Sequence, residues 1–167
     1  MIRFQELSFD MPKSIVPKMF FIASGSALSD ISEMNAFDLA LVKAGIAEAN
    51  LVPVSSVLPA GITRVARGRI ERGAITFCVL SRISGRGEGR ISSGLAYVFR
   101  EDGLGGYVAE GHAYGDGKAL RKELKARISE MARHRRVGIK RIEYSISSIE
   151  IPKGKYGSCV VALVFSE

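Results

Sequence analysis

Cysteine, histidine and long apolar runs are scarce in this sequence, and each scarcity excludes something. The two cysteines are Cys78 and Cys159, and their spacing offers no metal-ligand set. Both lie in apolar runs, which reads as buried free thiols rather than a disulfide and fits an intracellular, cytoplasmic setting. The two histidines, His112 and His134, stand 22 residues apart with no His/Cys/Asp cluster around them, so no metal site is expected. No stretch approaches the ~18 uninterrupted apolar residues of a membrane span, so no membrane partner is expected. Met1-Ile2-Arg3-Phe4-Gln5-Glu6 lacks the apolar core that a signal peptide carries. No internal repeat, low-complexity segment or linker divides the chain. One domain over residues 1–167 is expected, long enough for one sizeable core.

What is present is the composition of a globular protein. Hydrophobic residues make up 47% and charged residues 25%, which excludes a disordered tail or a coiled coil. The net charge is +7, and it is local. Residues 118–141 carry ten Lys/Arg against Glu123 and Glu130, or +8, which leaves −1 for the rest of the chain. A basic segment of this kind invites a nucleic-acid reading. Its cations fall mostly off an apolar stripe and no aromatic residue is interleaved, so a solvated outer helix face is the expectation, with no specific nucleic acid as partner.

The chain reads as alternating strands with two helices. Ile15–Ala23 is strand-like, and the small, polar Ser24–Glu33 reads as a loop. Asn35 reads as a helix N-cap before an apolar stretch that Gly45 ends. Leu51–Val54 reads as a short strand in which Pro53 argues against a central, fully paired position. Further strands are expected at Ala74–Leu80, Ile91–Phe99, Gly106–Ala113, Ile139–Ile151 and Ser158–Phe165. The second helix should run from Asp116, as N-cap, to about Arg136, with Leu120, Leu124, Ile128 and Met131 as its apolar stripe. These elements make an α+β protein in which helices cover a mainly antiparallel sheet system.

Familiar catalytic sets are thin. Gly85-Arg86-Gly87-Glu88-Gly89 lacks the Walker lysine and the full dinucleotide fingerprint, and reads as a hairpin loop. Ser55-Ser56 differs from the serine pairs at 92–93 and 147–148 in its setting. It ends a short strand, follows Asn50 by five residues, and precedes a Pro-Ala-Gly turn. A strand-to-turn junction can hold backbone strain. A serine hydroxyl there can attack the preceding carbonyl, and the resulting ester can eliminate and hydrolyse to a pyruvoyl group. By spacing alone a hydrogen-bonded turn serine is the stronger reading.

Two segments shift that balance. Met34-Asn35-Ala36-Phe37-Asp38-Leu39-Ala40-Leu41-Val42-Lys43-Ala44-Gly45-Ile46 and Asn50-Leu51-Val52-Pro53-Val54-Ser55-Ser56-Val57-Leu58-Pro59 resemble the pyruvoyl-dependent arginine decarboxylases. The likeness continues more loosely through Gly106-Tyr107-Val108-Ala109-Glu110 and Tyr156-Gly157-Ser158-Cys159. The resemblance implies a four-layer αββα sandwich that assembles as a homotrimer or hexamer with active sites between protomers. It implies self-cleavage between Ser55 and Ser56 into a β chain of 1–55 and an α chain of 56–167. The covalent pyruvoyl group would derive from Ser56 and serve as the only cofactor. Asn50 matches the asparagine near the cleavage site, and Glu110 the acid that donates a proton after carbon dioxide leaves. Asp38 matches the acid that receives a substrate guanidinium, with Ser55 also beside the substrate. The implied reaction is L-arginine to agmatine, feeding polyamine synthesis.

Each residue has a plainer reading. Asn50 would cap a turn, Asp38 would be a first-turn acid favoured by the helix dipole, and Glu110 would be an outward strand residue or a desolvated carboxyl. Departures from the family pattern lie at Gly111-His112, where a second acid often follows, in the Arg-rich stretch 64–90, and in 24–33. They bear on the substrate and leave the self-cleavage chemistry intact. The alternatives are therefore the same chemistry on another amino acid, or an uncleaved basic module for nucleic-acid binding or assembly.

Overall fold

Residues 14–87 and 89–166 are described in a computed structural model of the chain. The expectation at Met1–Glu6 and the central Glu88 of the Gly-rich run lie outside them. Chain order is β1 (Met19–Ser29), α1 (Glu33–Ala44), β2 (Asn50–Pro53), β3 (Val57–Leu58), β4 (Thr63–Arg64), β5 (Ile75–Arg86), β6 (Gly89–Phe99), β7 (Gly106–Tyr114), α2 (Gly117–His134), β8 (Glu143–Ile151) and β9 (Tyr156–Ser166).

The strands form two sheets, ordered β2-β5-β9-β1-β4 and β3-β7-β6-β8. Pairing is antiparallel except for β1 with β4 and β2 with β5. β9 is buried from Gly157 to Phe165 because it sits at the centre of its sheet with both faces covered. Its alternate residues serve two cores. Val161 and Leu163 meet Phe20, Val79, Leu95 and Val108 between the sheets. Ala162 and Val164 face outward with Phe21, Ala23 and Cys78, where Leu41 and Ala44 of α1 cover them. On the other side, Leu120, Leu124 and Ile128 of α2 pack on Ala96, Val98, Tyr107 and Ala109. Full burial of each of those three α2 side chains is worth roughly 1.5–3 kcal/mol. The layers are thus helix, sheet, sheet, helix, the expected αββα sandwich.

Several local expectations are corrected. The segment 24–33 is mostly strand, since β1 runs to Ser29 and pairs with β9 throughout. Its small residues reflect helix packing rather than a loop. A Cβ on Gly25 would stand 2.2 Å from the Ala40 carbonyl oxygen, so α1 can lie on β1 only if that position is bare. Ser32, not Asn35, caps α1. Its hydroxyl accepts from the Asn35 N–H at 3.1 Å and donates to Asn35 Oδ1 at 2.7 Å. Asp38 therefore lies in the second turn, beyond the reach of the helix dipole, and Glu33 is the first-turn acid. Gly45 ends the helix in the left-handed conformation, φ 74°. Asp116 caps α2 as expected, but Ala132 completes the buried stripe and Met131 is only half-buried. β5 continues through Gly85 and Arg86, and the chain then passes to β6 in the other sheet, so the hairpin loop expected there is a crossover between sheets. Pro53 lies on an edge strand, where its missing N–H costs nothing.

Candidate active site

The Ser55-Ser56 dipeptide is the point where the chain leaves one sheet for the other. The Val54 N–H donates to the Cys78 carbonyl at 2.9 Å, the last tie to β5. Two residues on, the Ser56 carbonyl accepts from the Val108 N–H at 3.0 Å, the first tie to β7. The crossover is therefore anchored at both ends. Between them, the Val57 N–H donates to the Ser55 carbonyl oxygen at 3.2 Å, making a three-residue turn centred on Ser56. Ser55 is exposed and Ser56 half-buried. Among the described residues Arg136 alone combines a side chain with a positive φ, so the junction is organised by hydrogen bonds rather than by left-handed strain.

Glu110 reaches this turn from β7. Along that strand Tyr107 and Ala109 face α2, while Val108 faces the other sheet, and Glu110 follows Val108 by the two-residue period. Its Oε2 accepts from Ser56 Oγ at 3.3 Å. The Ser56 hydroxyl thus has an acceptor for its proton, and the Ser55 carbonyl has a donor on its oxygen. That pairing can activate a nucleophile and polarise an electrophile in one dipeptide.

Two cavities flank the turn. A cleft of about 380 Å³ beside Ser55 is apolar, walled by Ile15, Val16, Val54, Val57, Phe77 and Phe165. A second, of about 460 Å³, is lined by Ser81, Arg82, Glu110, His112 and Arg127. It runs along two strand edges. β2 covers β5 only from Ile75 to Cys78, and β3 covers β7 only at Gly106 and Tyr107, so beyond these points, among the described residues, both sheets present unpaired edges on the same side.

The other expected site residues stand apart within one protomer. Asn50 begins β2, and its Nδ2 donates to the Gly73 carbonyl at 2.8 Å, bracing the turn before β5. Asp38 is exposed on α1, and among the described residues no hydrogen bond joins it to Ser56 or Glu110. Arg82, which lines the Glu110 cavity, also lies over the Phe37 ring at 4.8 Å and so connects α1 to that cavity. Ser81, Arg82 and Arg127 were not singled out by sequence, and His112 was named only as an isolated histidine and as a departure from the family pattern. Arg127 had one signal, its place four residues after Glu123, but it read as part of a solvated face.

Compared with known proteins, residues 19–167 match the model of one family, pyruvoyl-dependent arginine decarboxylase (PvlArgDC). The chain belongs to that family. Similar proteins include a pyruvoyl-dependent arginine decarboxylase of Methanopyrus kandleri, 33% identical over 150 residues, which are 90% of this chain and 97% of the relative. One from Methanothermobacter thermautotrophicus is 32% identical over 144 residues, 86% of this chain and 93% of the relative. Pyruvoyl-dependent arginine decarboxylase 2 of Archaeoglobus fulgidus is 39% identical over 103 residues, 58% of this chain and 65% of that protein.

Membership in the pyruvoyl-dependent arginine decarboxylase family makes the chain a decarboxylating lyase and implies a covalently bound pyruvoyl group. The residues present fit that group. Ser56 carries the hydroxyl and backbone from which such a group could form, Glu110 faces that hydroxyl, and the peptide before it is already hydrogen-bonded at its oxygen. Among the described residues no cluster of three His, Cys, Asp or Glu could hold a metal ion, and no helix is long and apolar enough to cross a membrane.

Proposed function

We propose that the chain cuts itself between Ser55 and Ser56 and then decarboxylates L-arginine to agmatine for polyamine synthesis. The observation that carries this reading is the 3.3 Å contact of Ser56 Oγ with Glu110, next to a Ser55 carbonyl that accepts from the Val57 N–H. Glu110 takes the hydroxyl proton as Ser56 Oγ attacks the Ser55 carbonyl carbon. The Val57 N–H stabilises the charge that develops on the oxygen. The carbon–nitrogen bond breaks, the nitrogen gains a proton, and an ester joins the two residues. Loss of the Ser56 α-proton expels the Ser55 carboxylate and leaves dehydroalanine at 56. Water then replaces its nitrogen, releasing ammonia and the pyruvoyl end of the α chain, 56–167, from the β chain, 1–55.

Once formed, the pyruvoyl group supplies an electrophilic carbonyl and an electron sink for loss of carbon dioxide. Glu110 returns a proton to the substrate α-carbon. Asp38 accepts the guanidinium in a forked pair, and Ser55 lies against the substrate. Among the described residues neither Asp38 nor Asn50 bonds to the Ser56–Glu110 pair within one protomer; a homotrimer, or a hexamer, with each site completed by a neighbour is the assembly that would bring them together. The unpaired edges of β5 and β7 beside Glu110 are the surface that such a neighbour would cover. The two buried thiols support a reducing compartment such as the cytoplasm.

The test is intact mass followed by turnover. Wild-type protein should appear as two chains and release agmatine and carbon dioxide from arginine. Ser56→Ala should remain one chain and be inactive. Cleavage of that variant at the same bond, or a processed wild type that ignores arginine while acting on another amino acid, would overturn the mechanism or the substrate respectively.

A further inference from the structure

We infer that Arg127 is a positioning residue, which fixes the backbone of Glu110 and thereby the distance between the Glu110 carboxyl and residue 56. The inference rests on the reading of Glu110 as the group that moves protons at this site.

Within one protomer, among the described residues, Glu110 lies on a stretch of strand with no strand paired to its outer edge. The Val108 N–H points outward to the Ser56 carbonyl. In an antiparallel ladder alternate residues direct both backbone groups to the same side. Glu110 therefore presents its own N–H and carbonyl from that edge, past the end of β3. An unpaired edge of this kind is free to twist or shift. Arg127 stands in for the missing strand at one atom. It reaches from α2 and donates through Nη1 to the Glu110 carbonyl at 2.7 Å. Its Nη2 pairs with Glu123 one turn earlier, which holds the guanidinium in the orientation needed.

The surroundings fit that reach. Gly111 follows Glu110, and a Cβ there would stand 3.3 Å from Leu120 Cδ1 and 3.5 Å from Arg127 Nη1, close to the path of the guanidinium. The next carbonyl, that of Gly111, accepts from Ser81 Oγ at 2.6 Å, and Ser81 in turn accepts from Ser93 Oγ at 2.8 Å. Two successive peptides of β7 are thus held by side chains from α2 and β5. A misplacement of about 1 Å in a reacting group can cost about 10²-fold in rate. A residue that sets the Glu110 backbone should therefore act on chemistry rather than on substrate affinity.

The experiment compares full-length wild type, Arg127→Met and Arg127→Lys. Self-cleavage half-times are measured by intact mass after a pulse of cell-free synthesis. Arginine kcat and KM are then measured on fully processed protein, with near-UV circular dichroism as the check on fold. Arg127→Met is expected to lengthen the half-time and to lower kcat, each about tenfold or more, with KM within threefold. Arg127→Lys, whose ammonium can still reach one carbonyl, should recover a substantial part of both. Should Arg127→Met disturb the fold, Ser81→Ala, which removes the side-chain donor to the adjacent carbonyl, and Arg127→Lys carry the comparison. Unchanged half-time and kcat in Arg127→Met overturn the inference. So does a raised KM with unchanged kcat, which makes Arg127 a substrate-binding group. A lysine variant as impaired as methionine also counts against it. If wild type cleaves but ignores arginine, the substrate reading fails and Arg127 is judged on the half-times. A wild-type chain that never cleaves overturns both.

Discussion

Replacing Glu110 with glutamine keeps the shape of the side chain and removes its ability to carry a proton. The amide oxygen can still accept from Ser56 Oγ, so the contact now at 3.3 Å survives in kind. Stability should change little, because that one long hydrogen bond to the carboxylate is worth about 1 kcal/mol or less. Catalysis should change much more. General acids contribute typically 10²–10⁴-fold, or about 2.7–5.4 kcal/mol at 1.36 kcal/mol per tenfold. Glu110 is half-buried and lines a cavity of about 460 Å³ that water can enter. A water molecule can then deliver the proton inefficiently, which sets the expected loss near the lower end, roughly 10²–10³-fold in kcat. Self-cleavage should slow but reach completion, because the hydroxyl remains oriented while its proton passes to solvent. The assay is carbon dioxide release from carboxyl-labelled arginine by protein whose mass shows complete processing. A fully processed Glu110→Gln protein with kcat within threefold of wild type refutes the proton-transfer role.

Other outcomes follow from single features of the site and surface. If a neighbouring protomer covers Asp38, which is exposed in a single protomer, Asp38→Asn should raise KM for arginine by roughly 30-fold or more while self-cleavage stays within twofold, since truncating one partner of a buried charge pair costs about 2–5 kcal/mol. Steady-state kinetics checks this, and lysine should be the poorer substrate because an ammonium cannot make the guanidinium fork. Burial pushes the Cys78 and Cys159 thiols up to about 11, so at pH 8 only about one in 10³ is thiolate. Iodoacetamide should label neither in the folded protein and both after denaturation. In the unfolded chain these thiols ionise near pH 9, whereas the folded protein keeps their protons to about 11. Their contribution to stability is thus complete below pH 9 and lost as pH rises toward 11, as urea melts across that range should report. Duplex DNA should bind only weakly and release in moderate salt, by anisotropy. Several cations of α2 and its C-cap already have partners: Arg121 lies over Tyr144 and the C-cap Arg135 over Tyr107, while Arg127 bonds the Glu110 carbonyl.

Much of the architecture was legible because burial leaves a period in the chain. α2 announced itself through Asp116 and the spacing of Leu120, Leu124 and Ile128, and the later strands through their apolar runs. The misreadings fall where one residue answers to two elements. Gly25 looked like loop because its smallness serves α1, which crosses β1 closely. Asn35 looked like a cap because a cap and its reciprocal partner use the same residue types three positions apart.

The order of residues by itself determined the two helices and most of the longer strands, and it set the Ser55-Ser56 junction with Asn50 five residues before it. Those features are local, and local patterns survive in one dimension. The meeting of Ser56 with Glu110 does not, since 54 residues separate them and only the stacking of two sheets joins them. Tertiary structure also decided that the Val57 N–H would face the Ser55 carbonyl and that Arg127 would take the Glu110 carbonyl. Register across a sheet edge and the reach of one side chain from a neighbouring layer depend on distances in space. A basic helix read along its sequence cannot show which of its cations turns back into the site.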